Sequence, residues 1–181
     1  MIGVLDRRKA LRGRADALYR RLVDQAREPV FYALCSVPDT LDGRFDMIVL
    51  HVSLVVRRLR VGAVAEKALA QMLFDTMMDD MDRSLREMGV GDLGVGRRVK
   101  AMAKAFYGRA TAYDAAFSEG AEALAAALER NLFAAARARP EQIRMVVEYA
   151  QDWAALLERT PNAALVGGEI AFAPLPGSSD K

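Results

Sequence analysis

The chain has 181 residues, 52% of them hydrophobic and 28% charged, with a formal net charge of +2. That length suits one domain with a single sizeable core, and so small a net charge excludes a general nucleic-acid coat. One cysteine, Cys35, excludes an intramolecular disulfide and a multi-cysteine zinc site.

Residues 5–27 set Leu5, Leu11, Ala15, Leu18, Leu22 and Ala26 on one side and most arginines elsewhere, the pattern of a basic amphipathic helix. The segment lacks the apolar run of about 7 to 15 residues that a secretory signal needs, and Asp6 and Asp16 argue against a mitochondrial presequence. Its basic face is solvated, lies on an anionic membrane or touches RNA phosphates. Without aromatic residues among the arginines to stack bases, the membrane is the better functional reading. Pro29 interrupts the pattern, residues 30–35 continue as a short helical piece, and residues 36–43, with Pro38, Asp39, Asp42 and Gly43, read as a loop.

In residues 45–59, Phe45, Ile48, Val49, Val52, Val55, Val56 and Leu59 recur at three and four, while Leu50 and Leu54 make the opposite side apolar. This predicts a helix buried on most faces or facing a partner; β-branched residues make a buried strand the competing reading. The apolar run 47–56 is far too short for the ~30 Å hydrocarbon core of a bilayer.

Residues 65–88 carry a seam of Leu69, Met72, Leu73, Met77, Met81, Leu85 and Met88, with Asp79–Arg83 and Asp82–Arg86 spaced as i,i+4 ion pairs. Gly89, Gly91 and Gly94 then spell G-x-G-x-x-G. A phosphate-binding glycine loop must leave a strand, and this one leaves a helical pattern. It therefore predicts a helix-to-helix corner, with Gly89 at a left-handed helix end and Asp92 available as a cap.

The next seam is Val95, Val99, Met102, Phe106, Tyr113 and Phe117, and Gly108 within it predicts close approach of another helix. An alanine-rich helix over residues 119–138 follows. Pro140 opens a last helix that buries Ile143, Val146, Val147, Ala150, Trp153 and Leu157. The expectation is an all-α, single-domain bundle of about six or seven helices in residues 1–165, with a short extended or disordered tail at 166–181.

Asp75, Asp79, Asp80 and Asp82 concentrate carboxylates on one helix. Asp75, Asp79 and Asp82 suit a surface that meets arginines or a partner, and Asp80, close to the methionine seam, suits a buried anchor paired with an arginine. A di-metal site would need glutamates and Glu-x-x-His motifs on facing helices, and the chain has one histidine. His51, within the most apolar helix, is a core residue bonded to a neighbour or a ligand and proton-transfer group. Paired with Cys35 it would need an activating environment that nothing local signals. The methionines fill an irregular core or line an adaptable groove.

Three stretches, VPDTLDGRFDMIVLHVSLVVRRLR (37–60), LFDTMMDDMDRSLREMGVGDLGVGRRVKAMAKAFYGR (73–109) and AALERNLF (126–133), make the chain similar to the ubiquinol-cytochrome c chaperone family, in its bacterial branch, over about residues 18–131. The resemblance implies a non-enzymatic assembly factor for respiratory complex III that acts on newly made cytochrome b, without cofactor, metal or DNA. It implies a cytoplasmic location, at the inner face of the bacterial inner membrane. From mitochondrial relatives come a small partner protein and proximity to the ribosome. The residues that match the family blocks and would contact a client are Asp39, Asp42, Arg44, His51, Asp80, Asp82, Arg86, Glu87, Asp92 and Arg109. The expected mechanism is a methionine- and valine-lined surface, beside helix 45–59, that holds an apolar segment of cytochrome b. A quinone- or lipid-binding pocket between the same helices is the competing reading, and a di-metal enzyme using Asp75, Asp79, Asp80 and His51 is the third.

Overall fold

A helix that is apolar on every side can be stable in water only if other helices surround it, and α3 (Leu41–Arg60) is such a helix. In the computed structural model, which describes residues 2–178, its neighbours are α1 (Ile2–Ala26), α4 (Val64–Glu87), α5 (Asp92–Glu119) and α7 (Pro140–Arg159). The short α2 (Pro29–Ala33) leads into it, α6 (Ala121–Asn131) packs on α5 and α7, and α8 (Asn162–Gly167) lies against α4. Every regular element among the described residues is helical. The expected core positions of α1 other than Leu5, whose side chain lies outside the described part, face inward; Leu11 is only partly buried. Residues 179–181 of the expected tail also lie outside it.

Directions follow from side-chain pairs. His51 meets Tyr149 and Arg58 meets the Leu157 carbonyl, so α3 and α7 run the same way. Asp16 meets Thr76 and Tyr19 meets Asp80, so α1 runs along α4. Arg21 lies over Phe172, which packs on Trp153, while Gln25 reaches Tyr149, so α1 runs against α7. The start of α1, the α3–α4 turn and the end of α7 therefore share one end of the bundle.

The element boundaries differ from the expected ones where local chemistry outweighs periodicity. The loop expected over 36–43 ends early: Thr40 caps α3 by accepting the Gly43 N–H at 3.1 Å, and Gly43 sits in the first turn because a Cβ there would run into the Pro38 carbonyl. At the glycine corner only Gly89 needs a left-handed backbone, φ 79°. Gly91 is the N-cap, Asp92 is already the first residue of α5, and Gly94 and Gly96 are helical. The alanine-rich helix starts after Gly120 and stops at Asn131, whose amide bonds back to the Ala127 carbonyl, so residues 132–139 are a connector. Gly108 has no close helix: nothing lies within 4 Å of where its Cβ would stand, and it faces solvent beside Tyr107.

Beyond α8 the chain has no regular structure, yet it is held. Trp153 Nε1–H donates to the Ala171 carbonyl at 2.9 Å, and Ile170 and Ala173 are buried. The methionine seam is mostly core. Met77 and Met81 are buried, Met72 and Met78 pack against them from partly covered positions, and Met88 alone of the seam is exposed.

Two glycine substitutions should therefore act in opposite directions. Gly108→Ala should stabilise the protein by up to about 1 kcal/mol and raise Tm by about 2–4 °C. Gly43→Ala should lower Tm through its clash with Pro38. Thermal unfolding followed by circular dichroism measures both, and a loss of stability in G108A would contradict the open environment of that position.

Candidate functional site

The residues expected to meet a client are distributed over the molecule. At the α4–α5 corner, Arg86 bridges Asp82, at 2.7 Å, and Asp92; these two acids hold its guanidinium above the ordinary arginine range. Glu87 is exposed in the same corner. Of the expected i,i+4 pairs, Asp82–Arg86 forms, whereas Asp79 turns to Arg12 of α1 at 2.5 Å. Arg83 is left 3.9 Å from Asp80. Asp80 itself is half-buried, and its main partner is the Tyr19 hydroxyl at 3.0 Å rather than an arginine. Asp39, in the connector before α3, and Arg44, in the first turns of that helix, form an exposed pair at 2.6 Å, which holds the Asp39 carboxyl below its ordinary value.

His51 leaves the set of contact residues altogether. Its ring is fully buried, with Nδ1 2.8 Å from the Met47 carbonyl and Nε2 2.9 Å from the Tyr149 hydroxyl. Both nitrogens are occupied within the core, so no face of it is available to a client or a metal. The third reading fails on the same geometry: His51 is internal while Asp75 and Asp79 point to solvent, and no acid, cysteine and histidine cluster suited to a metal occurs among the described residues. Burial pushes the Cys35 thiol up to about 11, which leaves it without thiolate character. The quinone or lipid reading required a cavity between the central helices, where Trp153, Phe31, Leu50, Leu73 and Met77 instead fill the space. For the same reason helix 45–59 offers no client surface beyond its first residues: from Met47 on it is the axis of the core.

What the fold does assemble is a cleft of about 610 Å³ between the start of α3, the middle of α5 and the end of α6. Its wall is apolar, with Phe45, Ala101, Met102, Ala105, Ala134 and Ala135, and its rim carries Asp42, Arg109, Arg130 and Asn131. All of these but Ala134 and Ala135, which follow the third, come from the three stretches that carry the family resemblance. Asp42 and Arg109 were expected at the site.

The central polar feature was not: Asp46 lies one turn after Asp42 and meets Arg109 at 2.9 Å, with side chains only 11% and 22% exposed. The contact is a close ion pair whose angle falls outside a good hydrogen bond. Arg109 Nε and the neighbouring Tyr113 hydroxyl are buried there without a partner among the described residues. Burial pushes the Asp46 carboxyl up to about 6 although Arg109 opposes the shift. A signal was present in the sequence, because Asp46 is a charge between Phe45 and Met47 in the most apolar helix, and such a charge requires a partner.

The chain has clear relatives among known proteins. The family model for the ubiquinol-cytochrome C chaperone matches residues 33–172. The chain is 27% identical over 159 residues to ubiquinol-cytochrome-c reductase complex assembly factor 1 of Xenopus laevis, covering 87% of this chain and 80% of that one. It is 26% identical to the Homo sapiens factor of that name, of which it spans only 53%. The crystal structure of the Cbp3 homolog from Brucella abortus superposes with a TM-score of 0.82 at 39% identity, over 96% of this chain and 97% of that one.

Two buried groups, His51 and Asp46, oppose each other in acid. Burial pushes His51 from 6.5 down to about 4, so it contributes stability above pH 6.5 that is lost as pH falls toward 4. Asp46, raised from 3.8 to about 6, contributes fully below pH 3.8 and loses that contribution as pH rises through 6. Each difference is worth at most about 3 kcal/mol. Asp46→Asn removes the acid-side compensation, so its denaturation midpoint should fall more steeply than wild type between pH 6.5 and 4; parallel curves would show that Asp46 titrates normally.

Proposed function

The chain belongs to the ubiquinol-cytochrome C chaperone family, a non-enzymatic family of assembly factors, and on that premise we propose that it assembles respiratory complex III by holding newly made cytochrome b in the α3–α5–α6 cleft. The observation that supports this reading is the convergence of the three resemblance-bearing stretches on one surface with an apolar wall and a charged rim. Alanines at 101, 105, 134 and 135 let a client backbone approach closely, and Met102 is a flexible, polarisable side chain at the wall. Asp42, Arg109 and Arg130 on the rim orient the segment through polar contacts, in the manner of a helix or strand laid in a groove.

The Asp39–Arg44 pair borders a second cleft, of about 470 Å³, on the other side of the connector. The Asp82–Arg86–Asp92 cluster and Glu87 lie at the far corner. We assign both to a second contact, with a small partner protein or a ribosomal surface. The protein works at the cytoplasmic face of the inner membrane, and the exposed arginines of α1 face that surface.

Deleting the gene should lower complex III and its haem b absorbance while leaving unrelated membrane proteins unchanged; unaltered complex III would overturn the reading. Within the protein, Met102→Asp should reduce co-elution of cytochrome b from detergent-solubilised membranes about tenfold with Tm within about 2 °C of wild type. Glu87→Ala should leave co-elution unchanged. If E87A abolishes it and M102D does not, the client sits at the α4–α5 corner instead.

A further inference from the structure

The α3–α4 turn is the least protein-like piece of this surface. Residues 61–65 read Val-Gly-Ala-Val-Ala, and Val61 is 82% and Val64 84% exposed, with Ala63 and Ala65 exposed between and beside them. The one acid of the turn is withdrawn from it: Glu66 is buried and folds back over Gly62, where a Cβ would stand 2.7 Å from the Glu66 Cβ. Arg60 and Lys67 flank the tip in exposed positions. Arg57 neutralises its two acidic neighbours, Asp114 at 2.9 Å and Glu158 at 3.4 Å. Because α1 runs along α4, its exposed Arg7, Arg8 and Lys9 lie toward the same end.

We propose that the α3–α4 turn is a bilayer-insertion tip, which seats Val61 and Val64 among the acyl chains of an anionic membrane while Arg60, Lys67 and the first turns of α1 bind lipid phosphates. This inference rests on the reading of the protein as a chaperone at the inner membrane and names the element that makes the contact. No helix among the described residues is long and apolar enough to cross a membrane, so attachment is from one side. Two shallow valines alone hold weakly, and cations alone are screened by salt. Together they give the two signals that reversible anchoring requires.

The geometry also sets a tilt. Glu119 and Glu122 stand at the α5–α6 turn, across the α3–α4 pair from α1, so the α1 edge approaches the lipid and the α5–α6 edge turns away. The opposite end of the bundle exposes Leu93, at 94%, beside Glu87 and the Arg86–Asp92 pair, and serves as the internal comparison for the tip.

Flotation of the purified protein with vesicles of phosphatidylglycerol and phosphatidylethanolamine tests this, with phosphatidylcholine vesicles as the neutral control. Wild type should float with the anionic vesicles only. Val61→Asp combined with Val64→Asp should lower partitioning at least tenfold with an unchanged melting temperature, and Leu93→Asp should have no effect. A dye on Val64→Cys, which labels selectively because Cys35 is buried, should shift to shorter wavelength on binding, and the same dye on Leu93→Cys should not.

Failure of wild type to float, flotation unaffected by the double substitution, or a response at position 93 in place of 64 would each overturn the proposal. Retention on immobilised RNA but not on anionic vesicles would instead identify the surface as an RNA contact. A tip variant that loses vesicles yet still co-elutes cytochrome b from detergent leaves the chaperone reading intact, and the reverse pattern in M102D leaves the tip intact.

Discussion

A histidine ring at the middle of α3 must stay uncharged, and much of the architecture is the means by which it does. An imidazolium without a counter-charge in that apolar setting would cost several kcal/mol. The neutral ring uses both nitrogens instead, one on its own helix at Met47 and one on Tyr149 of α7. Tyr149 takes a further bond from Gln25 of α1, and Phe31, Tyr149 and Trp153 close around the ring with centroids 5.0–5.7 Å from it. One polar side chain thus ties together three helices distant in sequence and sets how α7 is placed along α3. Everything that depends on that placement follows, including where the end of α7 meets Arg58 and where the start of α3 meets α5.

Most of this was readable from the sequence because burial writes itself as spacing. Helices α1, α4, α5 and α7 follow from their apolar seams, and the central place of α3 follows from its having no polar side. Boundaries were less readable, since a single cap or glycine sets them. Composition puts Gly43 in a loop although it takes the Pro38 carbonyl against it inside the first turn of α3, and periodicity runs through Gly120 although that glycine ends a helix. Gly108 misled in the other direction: a glycine inside a helix invites a packing explanation, and here the space beside it is open solvent.

The site was the least readable part, and for a physical reason. Asp46, Arg109 and Arg130 are separated by long stretches of chain, and although the apolar neighbours of Asp46 call for a partner, nothing local says which distant charge supplies it. Arg83 and Asp79 have ideal i,i+4 spacing and do not pair, because Arg12 on α1 reaches Asp79 first. Family resemblance covers both His51, which holds the core, and Asp42, which borders the cleft, and does not separate them.

The indole of Trp153 and the strand of chain it holds have a bearing on how the molecule is made. Phe172 fits between Trp153 and the guanidinium of Arg21, so the segment beyond α8 completes a contact with the first helix. During synthesis α1 emerges early, but one wall of its resting place does not exist until residue 172 has left the exit tunnel. Until then α1 is held by α3, α4 and the Gln25–Tyr149 bond to α7, without the Phe172 ring between Arg21 and Trp153. Removing the segment around Phe172 would therefore leave every helix in place and still take away the stack that joins Arg21 of α1 to Trp153 of α7.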